Sequence, residues 1–181
     1  WDRFQQIHPD YEFQTIKKIS DLEVPKEYSD VLELCYRTPT CAGASDIMRL
    51  LLMYLEGGIY IDTDVMPLQS FNAILDKDNE RPFLGKRSTK SFEIAVIGSP
   101  KGHKGFRKCL RRLPEWWEEH KGRSAAIQTG PAFFSKMLFG REDVQHLPSK
   151  TFYPYNGFRA PKREEKLQLF LKEKILKNFH Q

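Results

Sequence analysis

Between residues 42 and 58 the chain reads AGASDIMRLLLMYLEGG, with apolar positions on nearly every side of a helical wheel. That pattern predicts a largely buried helix, because a surface helix confines its apolar residues to one stripe. Ser45 can cap its start, Asp46 suits the positive N-terminal end, and Gly57 can take the left-handed position that ends it. IYI (59–61) follows as a short buried strand, and Pro67 stops regular pairing soon after. Alternation over 11–16 predicts another short strand, and 26–37 has helical spacing. Further on, PFLG (82–85) and FEIAVIGS (92–99) read as strands, and 105–120 as a helix broken or kinked near Pro114. QTGP (128–131) is a turn into a short helix, 152–158 an aromatic loop, and 163–179 an amphipathic helix. Strands alternating with helices imply an α/β domain around a mostly parallel sheet, whose ligands sit beyond the carboxyl ends of its strands.

Directly after that central strand the chain places Asp62 and Asp64, flanking Thr63. Strand geometry would project both carboxylates to the same side of the backbone. Like charges that close repel unless a cation sits with them, and oxygen ligands suit a divalent metal. Asp46 and Arg49, three residues apart, share one helix face. A helix of about 13 residues spans on the order of 20 Å, and the strand returns antiparallel to it. All four groups can therefore face one cleft, a grip suited to a nucleoside diphosphate sugar. The residues alone leave open that Asp46 only supports the helix start, and that Arg49 only pairs with it.

Composition narrows the classes. With 40% apolar and 29% charged residues over 181 positions, the chain can fold as one globular domain, taken as 1–181. No apolar run reaches the roughly 20 residues of a membrane helix, and the N-terminus lacks the apolar core of a signal peptide. Three cysteines without metal-ligand spacing argue against a disulfide framework and for a reducing, cytoplasmic setting, although Cys35 and Cys41 could pair. The net charge of +5 is spread thinly. Its clusters, RKCLRR (107–112) above all, read as solvated helix faces or as surfaces for anions, membranes or nucleic acid. No zinc-finger or RNP-type motif favours the last of these, and no nucleic-acid partner is expected.

The segment ASDIMRLLLMYLEGGIYIDTDVMPL resembles the signature of glycosyltransferases with a DXD sugar-binding region. That group includes fungal mannosyltransferases, bacterial capsule and lipopolysaccharide enzymes, and large glucosylating toxins. The shared pattern is A-x-S-D-x-x-R, an apolar helix, G-G-x-Y and D-x-D, and every fixed position is present. Looser likeness extends to HPDYEF, IGSPKGHKGF, QTGP and LPSKTFYP. The resemblance implies a GT-A-like α/β fold and metal-dependent transfer of a sugar from a UDP- or GDP-sugar to a glycan or other hydroxyl acceptor, with retention of anomeric configuration. It assigns donor-sugar hydroxyls to Asp46 and Arg49, the ribose or sugar side and the metal to Asp62, and direct metal binding to Asp64. The cation would be Mn²⁺ or Mg²⁺. Thr63 would line the donor site and Tyr60 would pack beside it; the QTGP turn either presents Gln128, Thr129 and Gly130 to the substrate or is a plain helix entry.

The family usually opens with a strand upstream of the HPDYEF region, so this chain is expected to be a piece lacking that strand and a C-terminal tail. His180 would be a third diphosphate or metal contact, or simply a terminal histidine. Glu93 stands where the family commonly has asparagine, and is a candidate acceptor-side or catalytic carboxylate. His8, His103, His120 and His146 share no metal spacing and are expected at the surface. One of Trp116 and Trp117 should be core and the other could face the acceptor; Phe152, Tyr153 and Tyr155 could stack on a sugar or close the core. Two rivals remain. A metal-dependent phosphoesterase or nuclease would want further metal ligands, and a catalytically idle sugar-nucleotide-binding module would keep the fold.

Overall fold

The computed structural model describes residues 2–16, 18–75 and 81–152. Contacts divide the chain into two compact units, Trp1–Pro148 and Ser149–Gln181. The first holds helices α1 (Asp2–Ile7), α2 (Ser29–Arg37), α3 (Cys41–Leu55), α4 (Lys104–Glu119), α5 (Ala125–Gln128) and α6 (Pro131–Leu138). Its strands are β1 (Gly58–Ile61), β2 (Phe83–Ser88), β3 (Ser91–Ser99) and β4 (Gln145–Leu147). The described part of the second unit is one short helix, α7 (Ser149–Phe152). The aromatic loop beyond Phe152, the helix expected over 163–179, and Tyr153, Tyr155 and His180 lie outside the described residues.

The α/β layering is as expected, a four-stranded sheet flanked by helices, in the order β1-β3-β2-β4. Strand direction is not. β3 runs antiparallel to both β1 and β2, and among the described residues β2 and β4 are the one parallel pair. The two-residue link from β2 to β3 makes a hairpin, which forces opposite directions. β1 therefore lies at the sheet edge and is half-buried rather than buried. Residues 11–16 pair with no described strand and are irregular, since alternation alone supplies no ladder partner.

α3 starts earlier than its apolar pattern suggests. Thr40 caps it, its hydroxyl accepting from Gly43 N–H at 3.1 Å, so Ser45 and Asp46 lie inside the helix rather than at its tip. Gly57 ends it as expected, at φ +73°. A Cβ there would also sit 2.5 Å from the Lys101 amide, so the turn needs glycine for space as well as conformation. α4 runs unbroken through Pro114, because Phe106, Leu110, Leu113 and Trp117 bury its inner face on both sides of the proline. Ile47, Leu50 and Leu51 of α3 meet that face together with Phe133 and Phe134 of α6 and Phe92 and Ile97 of β3. Trp117 is thus the core tryptophan, while half-buried Trp116 donates to Ile127 O at 3.1 Å and stacks on His120. Cys35, Cys41 and Cys109 are free thiols.

His8 is buried, contrary to the surface position expected of it. Its Nε2 accepts from Phe71 N–H at 3.1 Å, which leaves the proton on Nδ1 to donate to Phe4 O at 3.1 Å. The ring stacks on Phe71 and meets Tyr11 edge-on. It thereby ties the N-terminal segment to the chain that follows Asp64. His8→Ala is expected to lower unfolding free energy by about 2–4 kcal/mol, for lost ring packing and a deprived amide, measured by urea denaturation at neutral pH.

Candidate functional site: a carboxylate–arginine cluster at the end of β1

Arg49 is the hub. It is 5% exposed, on the third turn of α3, and its guanidinium points toward Asp62 at the end of β1. Nη2 lies 3.4 Å from Asp46 Oδ1 and 3.2 Å from Asp62 Oδ1, and donates to Ser45 Oγ at 3.2 Å. Nη1 donates to the carbonyl of Ile94. The guanidinium also sits over the Tyr60 ring, 4.7 Å from its centroid. Tyr60 donates to Asp62 Oδ1 at 2.7 Å, so the 3.4 Å contact between its oxygen and Ser45 Oγ leaves Ser45 as donor. Burial raises the Tyr60 phenol above its usual range, and the Asp62 charge adds to this against the opposing pull of Arg49. Of the four groups the sequence places at one cleft, the fold joins Asp46, Arg49 and Asp62 through the guanidinium, while Asp64 makes no ion pair or hydrogen bond with them; Tyr60 packs beside the three.

The sheet helps in a way the sequence hides. Pairing between β2 and β3 slips between Leu84 and Lys86, their partners moving from Ile97 to Phe92. Within the slipped stretch the Ile94 carbonyl receives Arg49; on the other edge of β3 the Ala95 carbonyl receives the Asp62 amide at 2.8 Å, one step beyond the pairing of Ile61 with Val96. Irregular ladders of this kind release backbone groups for other work. A role carried by a backbone carbonyl leaves no side-chain signature, so nothing in the sequence could have found it.

Asp46 is 6% exposed, and burial lifts its carboxyl to about 6 despite Arg49 and a hydrogen bond from Thr129 Oγ1 at 3.1 Å. That bond comes from the QTGP turn. Thr129 is buried there, and Gly130 leaves space for the carboxylate, since a Cβ on it would lie 2.8 Å from Asp46 Oδ2. Gln128 points elsewhere, donating to Trp117 O at 3.2 Å from a buried position. Gly130→Ala is expected to displace Asp46 and to lower unfolding free energy by about 1–3 kcal/mol, measured by urea denaturation.

Asp62 and Asp64 do not share a strand face, because β1 ends at Ile61. A turn closed by Val65 N–H on Asp62 O at 3.1 Å presents them instead. Asp62 is half-buried with one oxygen engaged, whereas Thr63 and Asp64 are exposed. The Asp64 carboxylate makes no ion pair or hydrogen bond among the described residues. Glu93 stands apart from the cluster, paired with Arg87 at 3.1 Å, and burial raises its carboxyl against that arginine.

Could these carboxylates hold a divalent cation? Among the described residues no group of three or more His, Cys, Asp or Glu converges as a metal cage. Mg²⁺ or Mn²⁺ bound together with phosphates needs only one or two carboxylates from the protein, water completing the shell. Asp64 offers both oxygens, so the donor set fits.

The description "Glycosyltransferase sugar-binding region containing DXD motif" matches residues 2–80, which hold Asp46, Arg49, Tyr60, Asp62 and Asp64. The chain is similar to inositol phosphoceramide mannosyltransferase 3 of Schizosaccharomyces pombe, 29% identical over 133 residues, which are 71% of this chain and 36% of that protein. It thus spans about a third of that relative's length. It also resembles in fold the solved PaToxG glycosyltransferase, with a TM-score of 0.51 at 20% identity, over 75% of this chain and 49% of that one. The DXD turn, the arginine-held carboxylates and this fold together make the chain similar to glycosyltransferases with a DXD sugar-binding region, whose model matches residues 2–80.

Proposed function

We propose that this chain is the catalytic region of a retaining, metal-dependent glycosyltransferase that moves a sugar from a UDP- or GDP-sugar to a hydroxyl of a glycan or other acceptor. The observation that carries the reading is Arg49, which gathers Asp46 and Asp62 beside a turn that leaves the Asp64 carboxylate unengaged. Asp64, with the second oxygen of Asp62, would hold Mn²⁺ or Mg²⁺. The bound cation would supply positive charge against the departing diphosphate. Asp46, buried and oriented by Thr129, would accept from donor-sugar hydroxyls, with Arg49 fixing its position. Tyr60 orients Asp62 through its hydroxyl, and Thr63 lies exposed on the turn toward the donor. The free thiols support a reducing setting, and no described helix is long and apolar enough to cross a membrane.

Retention requires either delivery of the acceptor from the face the leaving group vacates or a covalent intermediate. The acids of the cluster are engaged with Arg49 or assigned to the metal, and Glu93 is paired with Arg87, so we assign front-face transfer. The diphosphate oxygen would then take the acceptor's proton. Glu93→Gln should slow transfer within about 10²–10⁴-fold, the span of an assisting group, without changing the product's anomeric configuration. Product NMR decides this: an inverted anomer refutes retention, and a trapped glycosyl–Glu93 adduct replaces front-face transfer with double displacement. The reading as a whole is tested by calorimetry with UDP- and GDP-sugars, with and without Mn²⁺. A nucleotide-linked mannose is the first choice, because the curated relative is named a mannosyltransferase. Metal-dependent donor binding with turnover is expected; binding without turnover would leave an idle sugar-nucleotide module, and no binding would remove the reading.

A further inference from the structure

The basic run RKCLRR lies on α4 and resolves into two kinds of cation. Arg112 is neutralised by Glu115 and Glu119, both at 2.9 Å. Arg107, Lys108 and Arg111 are exposed, in line with exposed Lys104, at the i, i+3, i+4 and i+7 spacing of one helix face. Lys101, just ahead of the helix, extends the row. Arg107 and Lys108 make no ion pair or hydrogen bond among the described residues. The acids nearby do little. Glu56 lies 3.9 Å from Lys101 with both side chains exposed, and Asp143, at 3.6 Å from Lys104, is already bound by Arg141 at 2.8 and 2.7 Å.

This arrangement works against the helix that carries it. α4 has no acid in its first turn and no base in its last, while Glu115, Glu118 and Glu119 crowd its C-terminal end. The positive end of the helix dipole thus meets cations and the negative end meets anions. Neighbours Lys104 and Arg107, Lys104 and Lys108, and Arg107 and Arg111 are like-charged at i,i+3 or i,i+4 spacings, which also destabilise a helix. Helix stability therefore gives no account of the pattern. The buried opposite face, Phe106, Cys109, Leu110, Leu113 and Trp117, holds the helix in place despite it.

We infer that the first turns of α4 form a docking surface for the anionic headgroups of a lipid bilayer. The four cations line a straight ridge about 10 Å long, at 1.5 Å per residue, with no exposed aromatic among them on which a base could stack. A ridge of that kind attracts a plane of many negative headgroups without reading the shape of any one. The inference stands apart from the transfer reading, because its test contains no sugar donor.

The experiment is co-sedimentation of the 181-residue chain with phosphatidylcholine vesicles, with and without about one third phosphatidylserine, at low and high salt. Binding to the anionic vesicles at least tenfold above the neutral ones is expected, lost at high salt as screening requires. The variant Arg107→Glu/Lys108→Glu/Arg111→Glu should lose it too. Lys26→Glu/Lys90→Glu/Lys136→Glu, an equal charge change at exposed positions elsewhere, should keep most of it. In the α4 variant acids replace the bases three and four residues after Lys104, so it is expected to melt close to the parent chain, and thermal unfolding of both separates lost binding from lost fold. Equal binding to both vesicle types, or equal loss in both variants, overturns the inference. So does binding of an RNA oligonucleotide that depends on the same three residues while anionic vesicles are ignored.

Discussion

Asp64→Ala is expected to cut metal-dependent transfer by at least about 10³-fold while leaving the metal-free protein as stable as before. The two halves of that outcome have one cause. Asp64 stands exposed on the turn after β1, and its carboxylate makes no ion pair or hydrogen bond among the described residues. The fold therefore loses nothing when it goes, and surface changes of that kind usually stay within about 0.5 kcal/mol. Asp64 is thus a group that the fold does not use, beside Asp62 in the stretch that matches the DXD sugar-binding region, and the proposed transfer gives it a ligand to hold. Turnover with Mn²⁺ and thermal unfolding without it measure the two halves separately. A variant as active as the parent removes Asp64 from the metal site, and a variant that unfolds without metal makes it a structural residue.

How much of this was readable beforehand depends on what each feature is made of. The α3–Gly57–β1 unit was legible because its apolar pattern, its glycine and its acids are all local. The convergence of Asp46, Arg49 and Asp62 followed from helix length and an antiparallel return, which did not show that Asp64 would stay apart from them. What failed was whatever pairing decides. The direction of β3 comes from a two-residue hairpin, β4 is three residues paired to β2 with too few positions for any period, and the alternating segment 11–16 has no described partner. Ser45 was a good cap by type, yet Thr40 caps the helix, since an N-cap residue must sit outside the helix it caps. His8 reads as a surface polar residue, and only the position of the Phe71 amide shows why it is buried. Thr129 was within reach, because the QTGP turn had been singled out, although its partner Asp46 is 83 residues away.

The largest effect on stability is expected at Arg49. Replacing it with Met leaves Asp46 buried with its cation gone, and also removes the bridge to Asp62, whose carboxylate then faces Asp46 unscreened. Breaking a buried pair in this way costs about 3–5 kcal/mol. The pH dependence follows from Asp46. Its folded carboxyl lies at about 6, raised by burial from an ordinary 3.8, so the folded state holds the proton more tightly than the unfolded chain. The resulting penalty is absent below the ordinary value, grows as pH rises through the window, and is complete above the raised value, at about 3 kcal/mol in the parent protein. Without Arg49, which pulls the carboxyl down, the raised value climbs further and the penalty keeps growing to higher pH. Urea denaturation should therefore find Arg49→Met far less stable than the parent at pH 8, and the two nearly equal at pH 5. Asp46→Asn removes the buried charge, so the double variant Asp46→Asn/Arg49→Met should recover most of the loss at pH 8 without recovering discrimination between sugar donors. An Arg49→Met deficit that is the same at both pH values would show that the arginine acts through packing and its bond to Ile94, not by neutralising Asp46.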